Sequence, residues 1–188
     1  MAVVTQPPRS VRISEEEYLR ELADSNRWEF CNGVATEKRG ELMTRRDHVT
    51  LAEELSAALR AYRLRAGGFA GQTPTTNLSR SDERLYRMPD LAYWAPEREI
   101  GESIFTPPTL AIELVSADQS VPGLRDKCRA YREHGVEVCW LIDPARRTAE
   151  VFEMGRDAEP LRADGVLESP ALPEFRLPLP ELFAALDR

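Results

Sequence analysis

The sequence predicts a mixed α/β (α+β) domain in which a mixed β-sheet is flanked by helices and carries an extra β-hairpin. Residues 110–115, Leu-Ala-Ile-Glu-Leu-Val, are apolar on both faces of an extended strand, a pattern typical of a central strand covered by helices. Elsewhere, segments with apolar residues at helical spacing alternate with short apolar runs bounded by Gly, Pro and Asn. The 188 residues suffice for one such domain with a sizeable core.

Composition bounds the domain organisation and the class of protein. Residues 1–12, rich in Pro and Arg, are predicted to form a flexible N-terminal arm, and residues 13–188 a single domain. Hydrophobic residues at 42% and charged residues at 30% exclude wholesale disorder. No window approaches about 18 continuous apolar residues. The three cysteines show no metal-type spacing. We therefore expect a cytoplasmic protein with reduced thiols, no zinc site and no membrane partner.

The charged residues give an acidic protein whose basic residues are almost all arginine. A net charge of −7 argues against a protein that coats nucleic acid through bulk electrostatics. Counting the 25 basic residues along the sequence gives 23 Arg and only two Lys, Lys38 and Lys127. Lys carries a compact charge whose proton can be shifted, unlike Arg, so a retained Lys points to a special position. Lys38 lies in a polar turn, where its retention alone proves nothing.

The first third of the chain contains a helix, a hairpin and a longer helix. Ser14-Glu15-Glu16-Glu17 forms a capping box, which predicts a helix from there to about Asp24. Residues 28–36 predict a hairpin with Asn32-Gly33 as its two-residue turn. Glu29 lies near the base of this hairpin.

A second helix is predicted from about Asp47 to Ala66, ended by Gly67-Gly68. Its expected apolar face consists of Val49, Ala52, Leu55, Leu59 and Tyr62. The basic residues of this neighbourhood are Arg45, Arg46, Arg60, Arg63 and Arg65. These arginines form either a local nucleic-acid contact surface or simply a solvated helix face.

The rest of the chain reads mainly as strands. Residues 69–78 and 85–94 predict two strands around a polar turn, followed by the strand 110–115 and a helix from 123 to 134 that ends at Gly135. Residues 136–143 and 148–154 then predict a hairpin. The proline-rich tail from Arg162 ends in a short closing helix at 180–183.

Glu113 lies in the middle of the strand that is apolar on both faces. An ionised carboxylate buried there without a partner costs several kcal/mol, so Glu113 must be paired, protonated or bound to a cation. A structural ion pair with an Arg is the alternative that needs no site. On the following helix, apolar residues at spacings of three and four place Lys127 on the inward face. Either Lys127 converges with Glu113, or its stem covers the core edge while its ammonium reaches water.

Asp90 stands at the start of the neighbouring apolar strand. Alone it is compatible with a turn. With Glu113 on an adjacent strand, it would form the kind of carboxylate pair that holds Mg²⁺, a hard cation that keeps several waters. The backbone carbonyl of Leu114 is a further candidate oxygen ligand. Such a cation polarises a phosphodiester, while a lysine positions the attacking water or stabilises developing negative charge.

These residues stand in an order that resembles a known family. The blocks are Trp28-Glu29-Phe30-Cys31-Asn32-Gly33, His48, Pro89-Asp90, Ile112-Glu113-Leu114-Val115-Ser116, Lys127 with Tyr131, Gly135-Val136 leading to Trp140-Leu141-Ile142-Asp143, and Val166-Leu167-Glu168-Ser169-Pro170 with Leu172-Pro173. Together they resemble the PD-(D/E)xK nuclease superfamily, and more closely its Uma branch of restriction-like endonucleases, over roughly residues 14–183. The resemblance implies a restriction-endonuclease-like core.

The resemblance also implies roles for individual residues. Asp90 and Glu113 would be metal ligands for Mg²⁺ or Mn²⁺. Lys127 would be the catalytic lysine, moved to the helix from the strand position that Val115 holds. Glu29 would be an additional ligand or a water-orienting group.

The expected function is a metal-dependent endonuclease that hydrolyses DNA phosphodiesters. His48 would contact a phosphate or cap its helix, and the basic residues at 45, 46 and 63 (Arg45, Arg46 and Arg63) would contact the nucleic acid. A homodimer is expected for an enzyme that cuts both strands.

One position departs from the family pattern. Many relatives carry an acidic residue four positions before the helical lysine, where this chain has Gly123. The alternative function is therefore a catalytically impaired nucleic-acid-binding or regulatory module with the same fold. A third reading keeps Glu113 as a core ion pair without metal.

Overall fold

The computed structural model describes residues 9–38, 46–116, 119–153 and 156–188. The strands are β1 (Ser10–Arg12), β2 (Trp28–Cys31), β3 (Val34–Glu37), β4 (Phe69–Gln72), β5 (Thr76–Asn77), β6 (Leu85–Arg87), β7 (Leu91–Trp94), β8 (Leu110–Leu114), β9 (Val138–Asp143), β10 (Thr148–Glu153), β11 (Arg156–Leu161), β12 (Val166–Ser169) and β13 (Leu172–Pro178). The helices are α1 (Glu15–Glu21), α2 (Arg46–Ala66), α3 (Val121–Glu133) and α4 (Leu179–Ala184), with 3₁₀ turns at Ala23–Ser25 and Ala185–Asp187.

A six-stranded mixed sheet in the order β11-β10-β9-β8-β7-β4 forms the centre of the fold. Strands β8 and β9 run parallel, joined by the crossover helix α3, whereas the other neighbours run antiparallel. Side chains alternate along β8, so Leu110, Ile112 and Leu114 face α2 and Ala111 faces α3. Glu113 has the same parity as Ala111 and therefore faces α3. The prediction of a mixed sheet flanked by helices is confirmed.

The predicted hairpin belongs to a second, five-stranded sheet in the order β1-β3-β2-β6-β5. Its turn is Asn32-Gly33, with φ of 44° and 85°, the left-handed conformations that a tight hairpin turn requires. Helix α1 closes this sheet, and its Tyr18 ring stacks on Phe30 with ring centroids 4.9 Å apart. The capping box at Ser14 is also present as predicted.

Two predicted strands are broken, and each break carries the chain from one sheet to the other. Residues 69–78 form β4 and β5, and residues 85–94 form β6 and β7, with one strand of each pair in each sheet. Each break contains a proline, Pro74 in the first and Pro89 in the second, and a proline has no N–H to give to a ladder. The period-two pattern continues through both breaks, so these prolines were the signal in the sequence that could have revealed them. Asp90 therefore lies at the passage between the sheets.

Three further predictions were wrong, at the N-terminus, on one face of α2 and in the C-terminal strands. Ser10–Arg12, predicted within the loose arm, pairs with β3, while residues 1–8 lie outside the described residues. Val49, predicted in the core, is 38% exposed, and Leu51 is buried in its place. Strands β11, β12 and β13 were not predicted; prolines interrupt the pattern of β11 and β13, and β12 is only four residues long. Among the described residues, no helix is long and apolar enough to cross a membrane.

Candidate active site

Three carboxylates, two of them buried and one partly buried, come from three different segments at the junction of the two sheets. Glu113 lies on β8, Glu29 on β2, and Asp90 in the break before β7. The Asp90 N–H donates to the Ile112 carbonyl at 2.9 Å, and the Leu114 N–H donates to Asp90 Oδ2 at 2.7 Å. These two bonds fasten Asp90 to the strand that carries Glu113.

Glu113 is fully buried, and its two oxygens differ. Oε1 lies 2.8 Å from Lys127 Nζ and accepts a 2.9 Å hydrogen bond from the Tyr131 hydroxyl. Oε2 is buried and has no hydrogen-bond partner within the described parts of the chain. An unpartnered buried carboxylate oxygen is unfavourable in a folded protein, which makes this atom a candidate to bind a cation.

Lys127 points inward from α3, as the helical spacing predicted. Its Nζ lies 2.7 Å from Glu29 Oε1 as well as 2.8 Å from Glu113 Oε1, and it donates to the Met88 carbonyl at 3.4 Å. The lysine thus joins two carboxylates that are 84 positions apart in the sequence. Its ammonium is a bridging cation and does not reach water at the core edge.

Glu29 has donors on both oxygens. The Met88 N–H donates to Oε1 at 3.0 Å, where Lys127 also binds, and Arg87 Nη1 donates to Oε2 at 3.0 Å. These contacts hold the Lys127 ammonium and the β6 end in place. They favour a water-orienting or positioning role for Glu29 over that of a direct metal ligand.

Lys38 is the site residue that the sequence reasoning missed. It follows β3, and its Nζ lies 2.7 Å from Asp90 Oδ1 and donates to the Met88 carbonyl at 2.8 Å. Both lysines of the chain therefore contact the carboxylate cluster. The scarcity of Lys among 25 basic residues was the signal that could have found Lys38.

His48 lies in the first turn of α2 and is 6% exposed. Its Nε2 is 4.0 Å from Asp90 Oδ1, and Nδ1 has no hydrogen-bond partner among the described residues. Burial lowers the pKa of His48, although the nearby Asp90 charge opposes the shift. The ring therefore faces the site, a placement that the helix-cap interpretation did not anticipate.

The pKa values of the three carboxyl groups are shifted in different directions. Burial raises the pKa of Glu113, because the charge of Lys127 offsets desolvation only in part. Burial also opposes ionisation of Glu29, yet the charges of Lys127 and Arg87 outweigh it and lower that pKa to about 2. Lys38 and its neighbours likewise outweigh burial at Asp90 and lower its pKa.

Lys127 is held in its charged form. Burial alone would lower the pKa of its ammonium, but the adjacent Glu113 and Glu29 outweigh burial and raise it. The ammonium therefore acts as a hydrogen-bond donor and fixed positive charge, and it is a poor proton acceptor. Together the cluster contains three acids and three bases, namely Glu29, Asp90, Glu113, Lys38, Arg87 and Lys127.

The predicted nucleic-acid contacts are spread along α2. Arg46 is exposed, and its guanidinium donates to the main-chain oxygen of Arg188. Arg63 lies 17 residues further along the helix, about 25 Å away at the helical rise. Arg45 lies outside the described residues. Arg46 is thus near the His48 end of the helix and Arg63 is far from it.

Gly123, the departure from the family pattern, stands in the first turn of α3. A Cβ built there would meet nothing nearer than the Ser120 side chain at 3.8 Å. The backbone thus has room for a larger residue, so packing does not impose the glycine.

The residues present fit a hard divalent cation. Asp90 and Glu113 supply carboxylate oxygens on adjoining segments, and Glu113 Oε2 is buried without a partner among the described residues. No group of three or more His, Cys, Asp and Glu suited to a metal occurs in the described residues. Mg²⁺ commonly uses one or two protein carboxylates and keeps its waters, so two suffice.

Comparison with solved structures supports the fold. The chain resembles a protein from Anabaena variabilis ATCC 29413 described as "a putative nuclease belonging to DUF820", with a TM-score of 0.76 and 23% sequence identity. The likeness covers 93% of this chain and 99% of that chain. Curated proteins gave no significant match.

Comparison with family models supports a nuclease function and identifies the family. A model described as "Uma2: Putative restriction endonuclease" matches residues 15–180. This range contains Glu29, Asp90, Glu113 and Lys127, and it spans most of the 188 residues. The chain therefore belongs to the Uma2 family of restriction-endonuclease-like proteins.

Proposed function

We propose that this protein is a Mg²⁺- or Mn²⁺-dependent endonuclease that hydrolyses phosphodiester bonds in DNA. The observation that carries the proposal is Glu113, whose buried Oε2 lacks a partner among the described residues while Oε1 is held by Lys127 and Tyr131. One oxygen is thus oriented and the other is available. Asp90 on the adjoining segment completes a carboxylate pair of the kind that hard cations use.

Asp90, Glu113 and the Leu114 carbonyl are the groups that would hold the cation. When bound, the cation supplies polarisation of a phosphate oxygen and activation of a water molecule. Asp90 is already oriented by the Leu114 N–H. Burial of both carboxylates strengthens their attraction for a cation and keeps bulk water away.

Lys127 and Glu29 act as a pair. The protonated ammonium places a fixed positive charge beside the phosphate oxygen on which negative charge develops. Glu29, with its low pKa, stays ionised and holds that ammonium 2.7 Å away. Arg46, His48, Arg63 and Arg45 are proposed contacts to the nucleic acid, with His48 nearest to the chemistry.

Cleavage assays on supercoiled plasmid and on single-stranded circles, with Mg²⁺ or Mn²⁺, test the proposal and identify the strand form. We expect metal-dependent nicking that falls by about 10²–10³-fold in Glu113→Gln, the scale for loss of one electrostatic group. Glu137→Gln is the matched control, because Glu137 pairs with Arg98 and contacts none of the cluster. Undiminished cleavage by Glu113→Gln would refute the mechanism.

A binding or regulatory module remains the second candidate function, favoured by one observation. The three acids and three bases balance without any metal. A module of this kind would bind DNA through Arg46 and Arg63 with a strong salt dependence, and Asp90→Asn would leave the affinity unchanged. Affinity measured at two salt concentrations, with and without metal, separates it from the enzyme.

The setting of the enzyme is also proposed. The unpaired thiols of Cys31, Cys128 and Cys139 suit the reducing cytoplasm. Cutting both strands of a duplex favours a homodimer. Sedimentation at micromolar concentration, with and without DNA, tests this assembly.

A further inference from the structure

The ion pair between Lys38 and the proposed metal ligand Asp90 differs from the ion pair between Lys127 and Glu113 in how many carboxylate oxygens are occupied. Both oxygens of Asp90 are engaged, Oδ2 by the Leu114 N–H and Oδ1 by Lys38 Nζ at 2.7 Å. At Glu113, one oxygen takes the Lys127 ammonium and the other is left without a partner in the described structure. A cation bound at Oε2 therefore does not take the oxygen that Lys127 occupies.

At Asp90 a divalent cation and the Lys38 ammonium compete. A metal ligand must turn its lone pairs to the cation, and a second positive charge on the same oxygen opposes binding. Lys38 also has a second acceptor, since it donates to the Met88 carbonyl at 2.8 Å. The ammonium can leave Asp90 and keep that hydrogen bond, and its side chain is partly exposed, so displacement leaves it with a polar partner and access to solvent.

Lys127 lacks such freedom. It is held by Glu29 at 2.7 Å and Glu113 at 2.8 Å, with the Met88 carbonyl at 3.4 Å. Both lysines therefore donate to the same backbone oxygen, that of Met88. One lysine is a fixed part of the site and the other has a replaceable contact.

We propose that Lys38 is a positioning residue that takes the place of the divalent cation at Asp90 and leaves that oxygen when the cation binds. The proposal rests on the metal-dependent function above. Before metal binds, the ion pair holds the buried Asp90 carboxylate in position. The two lysines of the chain thus have different roles at the same cluster.

Calorimetric titration of the whole protein with Mn²⁺, without DNA, tests the competition. Lys38→Met removes the competitor, so we expect Mn²⁺ to bind about tenfold more tightly than to the wild type, a factor typical of one ion-pair contact. Arg87→Met is the charge-matched control, because it removes one positive charge from the cluster but contacts Glu29, not Asp90. It should change the affinity by less than about threefold.

A second measurement uses the wild type and so does not depend on a variant that folds. Because the chain has only two lysines, ¹³C-labelled lysine gives two side-chain signals in an NMR spectrum, assigned with Lys38→Arg. Titration with Mg²⁺ should shift the Lys38 signal and leave that of Lys127 nearly in place.

The outcomes separate this proposal from the enzymatic one. Equal Mn²⁺ affinity in wild type and Lys38→Met, or equal tightening by Arg87→Met, overturns the role of Lys38 and leaves metal-dependent cleavage standing. An unmoved Lys38 signal in protein that binds Mg²⁺ does the same. Failure of every variant to bind metal overturns both proposals. If Lys38→Met binds Mn²⁺ and neither the wild type nor Arg87→Met does, the result supports competition between Lys38 and the cation.

Discussion

The two oxygens of Glu113 illustrate how single contacts define this site. Oε1 receives both Lys127 and Tyr131, whereas Oε2 receives no donor within the described residues. Asp90 and Glu29, in contrast, have donors on every carboxylate oxygen. The orientation of the Glu113 carboxylate thus depends on two donors that both bind Oε1.

Tyr131→Phe tests that dependence. The substitution removes a buried hydrogen bond to a carboxylate, so we expect the free energy of unfolding to fall by about 2 kcal/mol. Urea denaturation measures the loss. Tyr93→Phe is the matched control, because its buried hydroxyl donates to the Gly67 carbonyl at 3.2 Å and contacts none of the cluster. Tyr131→Phe should also slow cleavage, and Tyr93→Phe should not. Equal cleavage by both variants would contradict an orienting role.

At the scale of elements, the breaks between strands place the groups of the proposed active site. The Met88-Pro89-Asp90 break provides a carbonyl to both lysines, an N–H to Glu29 and a carboxylate beside Glu113. Helix α2 brings His48 to the same place from its N-terminal end. The position of α2 is set at its other end by Gly67-Gly68, which turns the chain into β4.

Gly68→Ala tests that turn. Gly68 has a φ of +81°, and a Cβ there would lie 2.2 Å from the Trp94 carbonyl oxygen. Left-handed strain and the clash with backbone together should lower the free energy of unfolding by about 3 kcal/mol. In Gly33→Ala, with a φ of +85° and no contact nearer than 3.9 Å, strain alone acts and about 1 kcal/mol is expected. Thermal or urea unfolding of the two variants gives the comparison, and equal losses would show that the clash relaxes freely.

At the scale of the whole molecule, the cluster joins the two sheets. Glu29 and Lys38 come from the five-stranded sheet and its border, and Glu113 comes from the six-stranded sheet. The net charge of −7 does not attract DNA over a distance, so the proposed recognition of DNA would depend on local contacts and on a bound cation.

Metal binding should therefore stabilise the folded protein as a unit. At a Mn²⁺ concentration about a hundredfold above Kd, we expect Tm to rise by roughly 5–10 °C, and the rise to vanish in Glu113→Gln. Glu137→Gln should respond like the wild type. Differential scanning calorimetry makes the measurement. A core ion pair without metal predicts the opposite result, namely a lower Tm for Glu113→Gln and no response to Mn²⁺ in any variant.

The sequence by itself determined the local features of the protein. Period-two and helical spacings predicted the central strand, the flanking helices and the hairpin, because each depends on residues a few positions apart. The same spacings placed Glu113 in the interior and Lys127 on the inward face of its helix. The roles of those residues stay predictions.

Only the tertiary structure decided which distant side chains meet. Lys38 and Asp90 are separated by 52 positions, and Glu29 and Met88 by 59. Their contacts require two sheets joined at strand breaks, and a hydrophobic pattern contains no information about such breaks. The hydroxyl of Tyr131 donates to Glu113, but in the sequence a phenol on an apolar stripe looks the same whether or not its hydroxyl finds a carboxylate. Burial was therefore readable from the sequence, and the pairing of the buried charges was not.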